Sequence, residues 1–214
     1  MKISIAGGHG KIALPLTRML AERGDQVGSI IRNPAHEDDV RAVGGEPVIC
    51  DLEAASIEEV SSAVASAEAV VFAAGAGPGS GSARKQTMDY GGAVKLIEAA
   101  KAEAIRRYLM ISSARADASV RGDDTFSVYL RAKGRADDEL IASGLDYTVI
   151  RPVRLTDEQG TGRVQLGRAV GRGAISRVDV AELVAAALVE EASVGKVFEA
   201  KAGEVPIAEA LRSL

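Results

Sequence analysis

The sequence predicts one doubly wound α/β domain with a mostly parallel sheet. Three observations point there: short apolar runs alternate with amphipathic stretches, glycines punctuate the ends of those runs, and 214 residues suit a single domain with a large core. Residues 152–214 are expected to add a small C-terminal extension to that domain rather than a second one.

The chain opens with an apolar run, Ile3 to Ala6, that stops at Gly7-Gly8-His9-Gly10. An amphipathic pattern with Ile12, Leu16, Met19 and Leu20 on one face follows, and a second apolar run, Val27 to Ile31, begins after Gly24-Asp25. This is a strand–turn–helix–strand unit of the length expected for half of a dinucleotide site. Gly7 permits the sharp exit from the strand, Gly10 lets a pyrophosphate reach main-chain N–H groups, and Ala13 is small enough for close packing of helix on sheet. The helix start then offers donors and the positive end of its dipole to phosphate, from the stretch His9, Gly10, Lys11 and Ile12. Pro15, past the expected start of the helix, predicts a lost hydrogen bond and a kink.

Arg32 stands where an NAD-specific site carries Asp or Glu for the ribose hydroxyls. A guanidinium there attracts a 2′-phosphate, which predicts NADP. The alternative is that Arg32-Asn33-Pro34 only starts a helix, with Asn33 as N-cap and Pro34 at the first helical position; capping leaves Arg32 free, so both readings can hold.

Further along, a helix over about 35–43 and a strand at Pro47–Cys50 lead to Asp51-Leu52. Asp51 either lines the nucleotide site or serves as the acid ahead of a helix over about 56–66. Ala69–Phe72 is unbroken apolar sequence, a strand buried on both faces. It runs into the glycine- and serine-rich segment Ala73–Lys85, which leaves the carboxyl end of a parallel strand, where ligands bind in open α/β sheets; a lid over Gly75–Ser82 is expected there. A helix over about 86–103 carries Asp89 in its first turn, and the strand Arg107–Ile111 ends in Ser112-Ser113. Tyr129 and Lys133, four apart on a helical pattern, share one face. A tyrosine hydroxyl beside an ammonium suits proton donation to a carbonyl as hydride arrives. A sixth parallel strand is expected within 143–155, another strand at Lys196–Ala200 and a closing helix in 206–214.

GGHGKIA followed by IRNP resembles the GATGxxG and VRNP signature of atypical short-chain dehydrogenase/reductases that bind NAD(P), the group with NmrA-like and biliverdin-reductase-B-like members. His9 stands where that family usually has Thr, and Ala13 replaces its third glycine. YLRAK matches the YxxxK spacing and SGLDYTVIRPVRL the sixth strand with its RPG segment, Val153 replacing glycine. The resemblance extends over nearly the whole chain. It implies a Rossmann fold and a catalytic set of Ser113, Tyr129, Lys133 and Asp89, with Lys133 also holding the ribose. It further implies Asp51 and Leu52 beside the adenine, Ala73, Ala74 and Gly75 near the nicotinamide ribose, and Pro152 and Val153 near the nicotinamide amide. Residues 152–214 would then supply the substrate side. Arg177 and Asp179 would form a structural ion pair.

The expected function is NADP-dependent hydride transfer to or from a small carbonyl, quinone or flavin-like acceptor. Two rivals stand beside it: a non-catalytic NADP(H) sensor of NmrA type, with the lid as switch, and a sugar-nucleotide epimerase or dehydratase, for which the residues after Pro152 are few.

Composition narrows the partners. Net charge is −4 and aromatic content 3 %, with no Trp, which argues against base-stacking or sequence-reading nucleic-acid binding. Between Arg151 and Arg177 six arginines face only Asp157 and Glu158; this cationic stretch either draws an anionic substrate or consists of solvated loops. The single cysteine, Cys50, is expected to be a buried, inert thiol. No metal site, signal peptide or membrane helix is expected, and the chain is read as a cytoplasmic monomer or homodimer.

Overall fold

The computed structural model describes residues 1–77 and 79–214. Its centre is a nine-stranded sheet, ordered β11-β8-β10-β6-β5-β4-β1-β2-β3. The strands of its first half are β1 (Lys2–Ala6), β2 (Gln26–Ile31), β3 (Glu46–Ile49), β4 (Ala69–Phe72), β5 (Arg107–Ile111) and β6 (Asp146–Pro152). They pair in parallel in the order 3-2-1-4-5-6, which is the Rossmann arrangement. β4 is buried at every residue, as unbroken apolar sequence requires of a strand covered on both faces.

Residues after Pro152 mostly extend this sheet. β10 (Lys196–Ala202) adds to β6 in parallel, and β8 (Arg163–Gly167) and β11 (Val205–Pro206) continue it antiparallel. Only β7 (Arg154–Thr156) and β9 (Ala174–Ser176) stand apart, as a two-stranded parallel ribbon.

Helices cover both faces. α1 (Ala13–Glu22), α7 (Arg177–Ala187) and α8 (Ile207–Arg212) lie on one, where Leu16, Leu20, Val180, Val184 and Leu211 join a core with Ile3, Ile5 and Phe198. On the other, α3 (Ile57–Val64), α5 (Ala93–Ala102) and α6 (Thr125–Ala142) bury Val60, Leu96, Ala100 and Leu140 against Phe72, Tyr108 and Met110. The short helix α2 (Glu37–Ala42) packs Val40 beside β3, and a single turn, α4 (Ser82–Arg84), precedes α5.

Local sequence explains most element ends. Asn33 caps the turn Pro34–His36 by accepting from the Ala35 N–H, with Pro34 at its first position; Ser56 and Glu59 form a reciprocal capping box at α3. Three expectations are corrected. Pro15 sits at the third residue of α1, and the flanking bonds Leu14 N–H to Gly10 and Leu16 N–H to Ile12 are intact at 3.0 and 3.1 Å; the missing donor falls in the first turn, and the helix runs on unbroken to Glu22. The helix expected from about residue 86 begins at Ser82, and Lys85–Gly92 is wound as a π-helix before α5. Arg177 and Asp179 do not pair: Arg177 turns to Asp157, while buried Asp179 accepts from the Thr161 and Gly162 N–H groups at 2.8 Å.

Candidate functional site

A cleft of about 300 Å³ opens at the carboxyl ends of β1, β2 and β4. Gly7, with φ +82°, turns the chain out of β1, and a side chain there would meet the Ala74 backbone at 2.7 Å. Gly8 is equally constrained, since a Cβ would lie 2.8 Å from the Ser29 Cα. The turn is closed by Gly10 N–H to the Gly7 carbonyl at 2.8 Å and anchored to β2 by Gly7 and Gly8 N–H to the Ile30 carbonyl. Among the described residues the His9, Lys11 and Ile12 N–H groups donate to no other group. Unpaired main-chain donors at the start of a helix are an anion cradle, so the residues present fit a dinucleotide diphosphate.

The cleft brings together most of the residues expected to hold a nucleotide: Gly7, His9, Gly10, Arg32, Asp51, Leu52 and the run Ala73–Gly75 all line it. Asp51 accepts from the Glu53 N–H at 3.0 Å and caps the turn after β3; the cap of α3 is Ser56, so Asp51 is not that helix's starting acid. Lys95 holds this turn through the Leu52, Glu53 and Ala55 carbonyls. Lys11 points away, pairing with Asp157 at 2.8 Å in the open.

Sequence reasoning missed His36, Arg84, Ala76 and Met88, which also line the cleft. Arg84 makes a two-nitrogen contact to Glu53, whose other neighbours are Thr87 and, at 3.6 Å, Arg32. The bond from Arg84 holds the Glu53 carboxyl below its ordinary range. No short-range signal links residues 32, 53 and 84. Cys50 is half-buried on the cleft wall rather than enclosed, and desolvation together with Glu59 and Asp51 pushes its thiol up; the proton stays on sulfur, as expected of an unreactive thiol.

Of the expected catalytic set, Asp89 on the π-helix and Lys133 on α6 come together, while among the described residues no contact joins Ser113 or Tyr129 to them. Asp89 is buried in the π-helix with Oδ1 3.5 Å from the Lys133 ammonium, and its Oδ2 accepts from the Ala76 N–H at 3.3 Å. Lys133 is buried too, donating to the Ile111 carbonyl at 3.2 Å with Phe72 beneath it. Asp89 is among the buried residues of this π-helical segment. The half-buried Tyr129 ring lies between Phe126 and the Lys85 ammonium, and among the described residues its hydroxyl has no hydrogen-bond partner. Ser113 Oγ donates to the Ala114 carbonyl at 3.2 Å. The main-chain groups flanking the β6 exit are already paired, the Pro152 carbonyl with Ala114 and the Val153 N–H with Ala200.

Beneath these lies a network that the sequence did not reveal. Asp137 is fully buried and accepts from Ser112 and Arg151, each at 2.8 Å, while its Oδ1 has no partner. Burial pushes this carboxyl up to about 6, against the pull of Arg151, Ser112 and Lys133. Arg151 is thereby removed from the cationic stretch, and Arg177 is neutralised by Asp157.

The loop after β4 is tied at both ends: the Ala73 N–H donates to Ala6, and the Lys85 ammonium and Ser80 hydroxyl both donate to the Gly77 carbonyl at 2.8 Å. Pro78, within the expected lid, lies outside the described residues.

Comparison with known proteins agrees with this geometry. A family model described as NAD(P)H-binding matches residues 7–191. The chain belongs to that family. Its motifs and its fold place it with the atypical short-chain dehydrogenase/reductases. It is 37 % identical, over the whole of both chains, to a Bacillus subtilis protein named uncharacterized sugar epimerase YhfK. Among solved structures, a Bacillus halodurans protein described as an NAD-dependent epimerase/dehydratase is 36 % identical with a TM-score of 0.92, each chain fully covered. The oxidoreductase ylbE of Lactococcus lactis is 29 % identical with a TM-score of 0.88, over all of this chain and 96 % of that one. This NAD(P)H-binding member thus sits among oxidoreductase- and epimerase-like relatives. Among the described residues no helix is long and apolar enough to cross a membrane, and no group of three or more His, Cys, Asp or Glu is placed to hold a metal.

Proposed function

We propose that the protein is an NADP-dependent oxidoreductase acting on a small carbonyl, quinone or flavin-like acceptor. The observation that carries the reading is the joining, in one cleft, of a glycine turn with free amides to Arg32 at the end of β2. The amides take the diphosphate, and the half-exposed guanidinium of Arg32 takes the 2′-phosphate, exchanging its loose contact with Glu53 for a charge-assisted bond. Bound NADPH supplies a hydride. The chain supplies the proton: the Tyr129 hydroxyl, committed to nothing else, gives it to the acceptor oxygen as the hydride reaches the neighbouring carbon. Lys133, fixed by Asp89 and Ile111 one turn along α6 from Tyr129, is the charge assigned to favour the tyrosinate left after transfer, and the Lys85 ammonium 5.4 Å over the Tyr129 ring adds to it.

The relatives' names favour a second reading, epimerisation or dehydration of a nucleotide sugar. Against it, the residues after Pro152 are spent on β8, β10, β11, α7 and α8, leaving little beyond β7, β9 and their loops to hold a sugar nucleotide. Absorbance of NADPH followed with a panel of quinones, flavins and aldehydes tests the proposal. Oxidation is expected with at least one acceptor, and Arg32→Ala is expected to weaken NADPH about tenfold or more while sparing NADH. Conversion of a nucleotide sugar with no net cofactor oxidation would favour the second reading. Binding without turnover of either class, with a cofactor-dependent protein partner, would favour a sensor.

A further inference from the structure

We propose that the acceptor reduced by this protein carries an anionic group, a carboxylate or a phosphate, and that Arg115 with Arg168 and Arg172 receives it beside the Ser113 end of β5. The inference rests on the oxidoreductase reading above and adds to it the charge of the substrate and the residues that select it.

The observation that carries it is one buried carboxylate. Glu199 lies on β10 between Phe198 and Ala200, which both join the core under α1 and α7, so strand alternation sends its side chain to the α6 face. Its Oε1 accepts from the Arg115 N–H and its Oε2 from the Val170 N–H, each at 3.0 Å. Two turns far apart in the chain, one following β5 and one following β8, are thereby held side by side. Arg168 and Arg172 flank the buried Val170, so both belong to a turn fixed at its centre. Among the described residues no acid pairs with Arg115, Arg168 or Arg172, and all three are exposed. Elsewhere in the cationic stretch Arg151 and Arg177 are matched by Asp137 and Asp157, and Arg163 donates to the Glu204 carbonyl.

Arg115 is also strained. Its φ is +66°, in the left-handed region that favours glycine. A long charged side chain keeps that backbone only where its neighbours over-determine it, and such strain gathers at ligand sites. Here the neighbours are explicit: the Ala114 N–H donates to the Pro152 carbonyl at 2.9 Å, the Ala116 N–H to Ser113 at 3.0 Å, and the Asp117 N–H to the Leu130 carbonyl at 3.3 Å. Gly134 lets the following residues lie flat on α6, since a Cβ there would come within 2.3 Å of the Ala118 nitrogen. Arg115 therefore stands in a fixed turn that runs from Ser113 to the residue beside Tyr129. An acceptor whose reacting oxygen meets Tyr129 can extend along this turn to the arginines. Guanidinium groups suit a carboxylate or a phosphate there, because they bind either through two parallel hydrogen bonds.

Steady-state kinetics at saturating NADPH with two matched pairs of acceptors tests the proposal: 4-carboxybenzaldehyde against benzaldehyde for a carboxylate, and FMN against riboflavin for a phosphate. Wild type is expected to favour the anionic member of at least one pair by about tenfold or more in kcat/KM, and to lose that preference as salt rises. Arg115→Gly deletes the guanidinium and relieves the backbone, so its melting temperature should not fall below that of wild type. Its preference should drop about tenfold, through KM for the anionic member rather than through kcat. Arg115→Lys should restore part of the preference, and the double variant Arg168→Ala with Arg172→Ala should weaken it in the same direction. No preference for either anionic member in wild type overturns the inference while leaving the oxidoreductase reading intact, as does a preference unchanged in both Arg115→Gly and the double variant. Absence of NADPH oxidation with every acceptor overturns the oxidoreductase reading and this inference with it.

Discussion

At the glycine-turn end of the cleft the working groups are main-chain amides and half-exposed cations, whereas at the α6 end they are charged side chains sealed from water. The first end is cheap to build, because Gly7, Gly10 and the start of α1 need only local geometry, and Arg32 and Arg84 keep contact with solvent. The second end is costly. Asp89, Lys133 and Asp137 are each almost fully buried, and a buried charge is tolerated only beside its partners. Substitutions at the first end should therefore change what is bound, and substitutions at the second should change stability and turnover together.

The largest effect is expected from Asp89→Asn, which removes the carboxylate paired with the buried Lys133 ammonium. Chemical denaturation should show a loss of about 3 kcal/mol or more, together with slower turnover; a melting curve unchanged from wild type would mean that the two ends do not differ in this way. Tyr129→Phe separates chemistry from folding, because the hydroxyl it removes has no partner among the described residues. Turnover should fall by about two orders of magnitude with NADPH affinity and melting temperature nearly unchanged.

Asp137 sharpens the comparison through pH. Its folded pKa of about 6 lies above its ordinary 3.8, so between those values the folded chain holds a proton that the unfolded chain has released. The stability this gives is complete below about pH 4 and is lost as pH rises toward 6. Asp137→Asn keeps the neutral form throughout, so its stability relative to wild type should improve between pH 4 and pH 7 by on the order of 2 kcal/mol, read from denaturation midpoints at each pH. The smallest effect belongs to the nucleotide end. Arg84→Ala removes an ion pair that is half in solvent, and folding stability should change by less than about 1 kcal/mol. It should also free Glu53 to hold Arg32 more closely, lowering NADPH affinity a few-fold in titration.

Much of the first end was legible in the linear sequence because its logic is local. A strand, a glycine turn and a helix are neighbours along the chain, and Arg32 follows its strand directly. Asn33 with Pro34 announced its cap for the same reason. The second end was legible only as spacing. Tyr129 and Lys133 four apart marked a shared helix face, but nothing in that interval said that Lys133 would be buried against Asp89.

What the sequence determined by itself was periodicity and punctuation: where strands and helices run, in what order, and that their carboxyl ends gather into one cleft, since apolar pattern and glycine position act over a few residues. What the tertiary structure alone decided was which distant polar groups share the interior. The burial of Asp89 against Lys133, the Asp137 carboxyl between Ser112 and Arg151, and the stack of His9 on His36 each depend on packing between segments far apart in the chain. Desolvation then sets how those groups behave, because the energy of a charge depends on everything around it rather than on its sequence neighbours.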